Sequence, residues 1–103
     1  MLFTFTIFPI GSGDDLVEPV ARAVEKIAAQ GLRHQVTGSA TLVEGEWDAV
    51  MPVLEACFKE LTDRHSRVYA QITVDHHEGS DDRIRGAVAA IQANTSATVR
   101  TSP

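Results

Sequence analysis

The stretch that decides the fold is TLVEGEWDAVMPVLEACFKEL, residues 41–61. Its hydrophobic period changes in the middle. Ala40 to Glu44 suits a short strand. Beyond Gly45, the residues Trp47, Val50, Met51, Leu54, Cys57, Phe58 and Leu61 recur at the three- and four-residue spacing of an amphipathic helix. Glu46 and Asp48 fall in the first helical turn, where a carboxylate complements the helix dipole by ~0.3–1 kcal/mol. Pro52 is predicted to kink that turn or delay the regular helix by a residue or two. Glu44 shares parity with Leu42, which aims it toward the helix layer at the margin of the sheet. A carboxylate there needs a partner. Arg33, Arg22, a backbone amide or a ligand could serve, and spacing alone does not choose among them.

Upstream, Leu2 to Phe8 alternate, with Phe3, Phe5 and Ile7 on one face and Thr4 and Thr6 on the other, as in a strand with one buried face. Pro9, Gly11 and Gly13 end it. Ser12 and Asp15 have capping-box spacing, and Asp14 stands near the same helix start. Leu16, Val17, Val20, Val24, Ile27 and Ala28 form a helical stripe, which Gly31 stops. A second strand runs from about Arg33 to Thr37, and Gly38-Ser39 turns it into the third.

Downstream, Arg67 to Asp75 alternate, with Val68, Ala70, Ile72 and Val74 inward and Tyr69, Gln71 and Thr73 outward. Ser80 can cap a last helix with the stripe Ile84, Ala87, Val88 and Ile91. The order β-α-β-β-α-β plus a terminal helix predicts an α+β fold. It is a ferredoxin-like sandwich with an antiparallel sheet and both main helices on one face. Residues 1–94 are expected to form a single domain and residues 95–103 a frayed tail.

The face turned away from the helices is read as Thr4, Thr6, Gln35, Thr37, Thr41, Tyr69, Gln71 and Thr73, with Val43 as an apolar exception. Threonine, glutamine and tyrosine form hydrogen bonds without the cost of desolvating a full charge. Such a face suits a second subunit or a ligand, although antiparallel sheets also commonly leave one face in water.

The 103 residues are 44% apolar, which fits one globular core. The formal charge of −5 argues against a nucleic-acid partner, which requires clustered Lys and Arg. No apolar run approaches the ~20 residues of a membrane span. The amino-terminal MLFTFTIFP reads as a strand and not as a signal peptide. The single cysteine, Cys57, suits a reducing cytoplasm. It lies within a helical apolar stripe, where a thiol is usually inert. Adjacent His76 and His77 point opposite ways in an extended loop, which disfavours a shared metal ion. No phosphate-binding or catalytic motif appears, and no cofactor is expected.

Three segments together resemble the small thiamine-binding protein family. They are FTIFPIGSG, TLVEGEWDAVMPVLEACFKEL, and RVYAQITVD followed by an Arg-bearing segment. The middle one, a T-x-x-E-G-E-W-D-x-V junction, is fairly specific. The resemblance covers most of the chain and implies a ferredoxin-like fold, dimers that associate into tetramers, and non-catalytic binding of thiamine or its hydroxymethylpyrimidine part. By resemblance, Thr41, Glu44, Gly45, Glu46, Trp47 and Asp48 carry over onto the junction, and Pro9 and Gly11 onto the first turn. The chain departs from the pattern at residues 76–80, which intervene before Asp81-Asp82-Arg83, and at Pro52.

Thiamine joins a cationic thiazolium to a flat aminopyrimidine. Carboxylate, hydroxyl and aromatic groups suit that ligand. Glu44, Thr41, Thr37 and Thr6 are the polar candidates, with Gln35 able to serve a ring edge. Trp47 and Tyr69 are the aromatic candidates, Trp47 being more often a core residue at its stripe position. The expectation is a non-enzymatic carrier or sensor, cytoplasmic and homo-oligomeric (dimer or tetramer), with its site at the sheet face or between subunits. A ferredoxin-like dimeric enzyme or a pure assembly module are the alternatives.

Overall fold

The computed structural model of the chain describes residues 1–11, 13, 16–79 and 82–101. The Ser12–Asp15 capping box, Asp14 and the Ser80 cap lie outside these residues. The elements are β1 (Leu2–Pro9), α1 (Val17–Ala29), β2 (Arg33–Val36), β3 (Thr41–Glu44), α2 (Trp47–Thr62), β4 (Val68–Asp75) and α3 (Arg83–Ala93). The strands form one antiparallel sheet in the order β2-β3-β1-β4, as the ferredoxin-like prediction requires. Helices α1 and α2 pack against each other and share one sheet face. Helix α1 rests on β1 and β2, and α2 on β1 and β4.

The alternation in β1 sets the core. Phe3, Phe5, Ile7 and Pro9 are buried, while the residues between them are half-buried on the other face. Val43, Ile27, Val50 and Leu54 close over them. Each large apolar side chain buried in this way contributes roughly 1.5–3 kcal/mol. Ala23 joins this core, whereas Val17 and Ala28 at the rim of the predicted α1 stripe are exposed. Gly31 ends α1 with φ +70°, a conformation that favours glycine after a helix. Helix α2 runs unbroken through Pro52. Its stripe is buried at Val50, Leu54, Cys57 and Leu61, but Trp47 and Phe58 stand partly in solvent.

Two facing assignments differ from the sequence reading. The β1–β3 register sets Phe3 opposite Val43 and Phe5 opposite Thr41, and sets Leu2 opposite Glu44 and Thr4 opposite Leu42. Thr41 and Val43 therefore face the helices, and Leu42 and Glu44 face away. The run T-L-V-E does not alternate strictly, so the position of Leu42 misleads. Register decides, because a shift of one residue turns every side chain over. Ile72 and Val74 do share the helix-side face with Phe5 and Phe3. They remain exposed nonetheless, since β4 is an edge strand whose far half α2 does not cover.

Candidate functional site

The two ends of β3 offer two different environments. At its carboxyl end Glu44 is buried, and its carboxylate accepts the backbone N–H groups of Arg83 (2.7 Å) and Ile84 (3.1 Å). These are orphan donors at the start of α3, so Glu44 caps that helix from a distant strand. Arg33 lies farther off, with Nη1 3.8 Å from the carboxylate, and is held more closely by Asp82 at 3.0 Å. Arg83 reaches Asp75 through Nη2, while its Nη1 is buried without a hydrogen bond among the described residues. Of the four partners open to Glu44 in the sequence, backbone amides hold it by hydrogen bonds and Arg33 stands at the longer ion-pair distance.

At the amino end of β3 there is a gap. Strand β1 continues for four residues past its last pairing with β3, because β3 starts at Thr41 and the chain turns back through Gly38-Ser39. The hairpin is closed by Thr37 N–H donating to Ala40 C=O at 2.8 Å. The Thr37 hydroxyl reinforces it, donating to Ala40 C=O (2.7 Å) and accepting from Ala40 N–H (3.1 Å). The Thr6 hydroxyl donates to Ser39 C=O at 3.1 Å and so ties the turn to β1. Between β1, this hairpin and the start of α1 lies a cleft of about 310 Å³. That is near the small end of ligand sites, which run roughly 300–1,000 Å³.

The walls of the cleft are mostly apolar. Phe5, Ile7 and Phe8 come from β1, Leu16, Val20 and Ala23 from the α1 side, and Val36 and Ala40 from the hairpin. Phe8 is backed by Tyr69, with ring centroids 5.2 Å apart. The polar lining is Thr6, Thr37, Ser39 and Thr41, with no ionisable side chain among the described residues that line it. Thr41 is only 5% exposed, and its hydroxyl has no hydrogen bond among the described residues. An unpartnered hydroxyl beside an apolar hollow is a ready contact for a ligand that can donate or accept.

The structure thus brings Thr6, Thr37 and Thr41 together and separates them from Glu44 and Trp47. Thr41 and Glu44 are three residues apart on one strand, about 10 Å at strand rise. Trp47 is 47% exposed and tilts its ring against Phe3 at 6.1 Å, away from the cleft lining. Sequence reasoning missed the part played by Ile7, Phe8 and the α1 side chains. The available signal was the mismatch between an eight-residue β1 and the short strands of the hairpin. Cys57 is buried in the core, and burial pushes its thiol above the ordinary range, as an inert cysteine requires. No group of three or more His, Cys, Asp and Glu able to hold a metal occurs among the described residues, and no helix there is long and apolar enough to cross a membrane.

The cleft and fold can be set beside known proteins. A UPF0045 protein of Mycobacterium bovis is 31% identical over 93 residues, covering 89% of this chain and 91% of its own. Another, from Methanothermobacter thermautotrophicus, is 29% identical over 90 residues, covering 84% and 91%. The chain is similar in structure to a candidate thiamine biosynthesis/salvage protein of Thermotoga maritima, with a TM-score of 0.75 at 27% identity over 87% of this chain and 96% of that one. A hypothetical protein of Methanocaldococcus jannascii superposes with a TM-score of 0.80 at 20% identity, over 87% and 93%, and speaks to the fold alone. The family model described as "Thiamine-binding protein" matches residues 3–92, from the first strand to the end of α3, and the chain belongs to that family.

Proposed function

We propose that the chain binds thiamine or its hydroxymethylpyrimidine part without transforming it, as a carrier or sensor, in the cleft between β1, the β2–β3 hairpin and α1. The observation that carries this reading is the Thr41 hydroxyl, without a hydrogen bond among the described residues, beside an apolar hollow of ligand size. The family and the Thermotoga neighbour, both described in terms of thiamine, support the ligand class. The neutral lining suits the uncharged pyrimidine ring, and the cationic thiazolium belongs at the mouth. There the overall charge of −5 favours it over long range. Phe8 supplies an aromatic wall.

In this reading Thr41 touches the ligand, and Thr6 and Thr37 hold the hairpin that shapes the cleft. Glu44 and Trp47 serve the opposite end of β3. Hydroxyls and peptide groups offer recognition and no strong acid or base, in keeping with a binding role. Assembly into dimers or tetramers belongs to the same proposal. Ile72 and Val74 on β4 and Val88 and Ile91 on α3 are exposed apolar residues that a second copy could cover. A cytoplasmic location is also part of it. Calorimetric titration with thiamine and with hydroxymethylpyrimidine tests the function. Saturable heat supports it, and a folded protein that gives none at millimolar ligand contradicts it.

A further inference from the structure

One residue of the cleft carries a pair of backbone groups for which the described residues of the neighbouring turn supply no partner. Gly45 N–H donates to Met1 C=O (3.0 Å), and the Met1 amino group donates back to Gly45 C=O (2.9 Å), which makes Met1 and Gly45 a hydrogen-bonded pair at the end of the β1–β3 ladder. In an antiparallel ladder such pairs recur at every second residue. The peptide groups of Phe3 and Phe5 are therefore directed at β3, and those of Leu2, Thr4, Thr6 and Phe8 at β4. The Ile10 N–H bond to Arg67 C=O at 2.9 Å keeps the same parity.

Ile7 is next in the β3-facing set. The residue that would oppose it is Ser39, but Ser39 belongs to the turn, and its C=O accepts the Thr6 hydroxyl. No hydrogen bond of the Ile7 N–H or C=O to the turn residues 37–40 is found among the described residues. Ile7 is 4% exposed and lines the cleft. Buried backbone groups are almost always paired with protein, water or ligand. A donor and an acceptor therefore stand side by side on the cleft wall, on the same strand edge that Thr41 borders.

We propose that the backbone N–H and C=O of Ile7 form the specificity-determining edge of this site. They would read a flat heterocycle that carries a ring-nitrogen acceptor next to an exocyclic amino donor. The inference rests on the cleft being the ligand site and deepens that reading. An aminopyrimidine presents this pair along one edge. Its ring nitrogen accepts from Ile7 N–H, and its amino group donates to Ile7 C=O. The ring then adds one rung to the sheet where the hairpin leaves off, between the apolar walls. A hydrogen in place of the amino group removes the donor and leaves the Ile7 carbonyl unpaired, the arrangement by which hydrogen-bonding sites reject analogues strongly.

The test uses the intact, unsubstituted chain, which avoids altering a core residue. Amide exchange and proton shifts of Ile7, Thr6 and Phe8 are followed by nitrogen-15 NMR with hydroxymethylpyrimidine and with its analogue lacking the amino group, and affinities are measured by calorimetry. In the free protein the Ile7 amide exchanges faster than those of Thr6 and Phe8, which are bonded to β4. With hydroxymethylpyrimidine it moves downfield and its exchange slows at least about tenfold, and the analogue lacking the amino group binds roughly 100-fold more weakly. If hydroxymethylpyrimidine binds while the Ile7 amide is unmoved, or if the analogue lacking the amino group binds equally well, the inference is overturned and the binding function stands. If neither compound gives heat, the function and the inference fall together.

Discussion

The carboxylate of Glu44 on β3 accepts the backbone N–H of Ile84, 40 positions away in the chain, at 3.1 Å. With its second bond to Arg83 N–H, this side chain fastens the start of α3 to the sheet. Glu44→Ala leaves two amides without that acceptor and is expected to cost about 1–3 kcal/mol in urea unfolding. Exchange of the Arg83 and Ile84 amides quickens accordingly. Affinity for hydroxymethylpyrimidine stays within about twofold in the folded fraction, because a residue about 10 Å along the strand from Thr41 makes no contact with the ring. Lost affinity with unchanged stability would return Glu44 to the ligand.

Thr41→Val separates binding from folding. Valine keeps the β-branched shape and removes a hydroxyl that has no partner among the described residues. Stability by urea unfolding is expected to hold or rise slightly. Affinity for hydroxymethylpyrimidine falls about tenfold, in line with one lost hydrogen bond of ~1–1.5 kcal/mol. A variant that loses stability and keeps affinity would show the hydroxyl to be structural.

Acid stability depends on the ion cluster bridging α1 and α2. Glu60 faces Lys26 at 2.9 Å, Arg22 at 3.5 Å and Arg64 at 3.7 Å. The hydrogen bond from Lys26, ahead of the other charges, holds the Glu60 carboxyl below its ordinary range, and Glu60 in turn raises Lys26. A depressed carboxyl stabilises the fold above its unfolded value, and that contribution is lost as pH falls through its folded value. The raised lysine stabilises the fold below its unfolded value and ceases to do so as pH rises through its folded one. Thermal unfolding of Glu60→Gln should therefore show a flatter decline than wild type between neutral and strongly acidic pH. Parallel curves would contradict this.

Gly45 is a packing constraint at the junction of β3 and α2. A Cβ built there meets Val50 Cγ2 at 3.0 Å, and Val50 is fully buried. Gly45→Ala is expected to destabilise by about 1–3 kcal/mol, the usual range for overpacking, as measured by urea unfolding. An unchanged midpoint would show that Val50 can move aside.

The order of elements was legible because the periods are strong. Phe3, Phe5 and Ile7 alternate cleanly, and the α2 stripe repeats without ambiguity. The facing of β3 was not, because four residues with an apolar pair in the middle satisfy either parity, and only pairing with β1 decides. Thr6, Thr37 and Thr41 were legible as polar candidates, yet two of the three hydroxyls are committed to the hairpin. The cleft itself depends on where pairing stops, and the Ile7 peptide groups carry no side-chain signature. The role of Glu44 as a remote helix cap depends on α3 returning to β3, a contact across 39 or more positions that no local pattern announces.

The most direct test of the account is a crystal structure of the chain grown with saturating hydroxymethylpyrimidine. The ring is expected in the cleft, bordered by Phe8, within hydrogen-bond reach of the Thr41 hydroxyl. A ring lodged beside Glu44 and Trp47, or a cleft that stays empty of ring density at saturation, would contradict it.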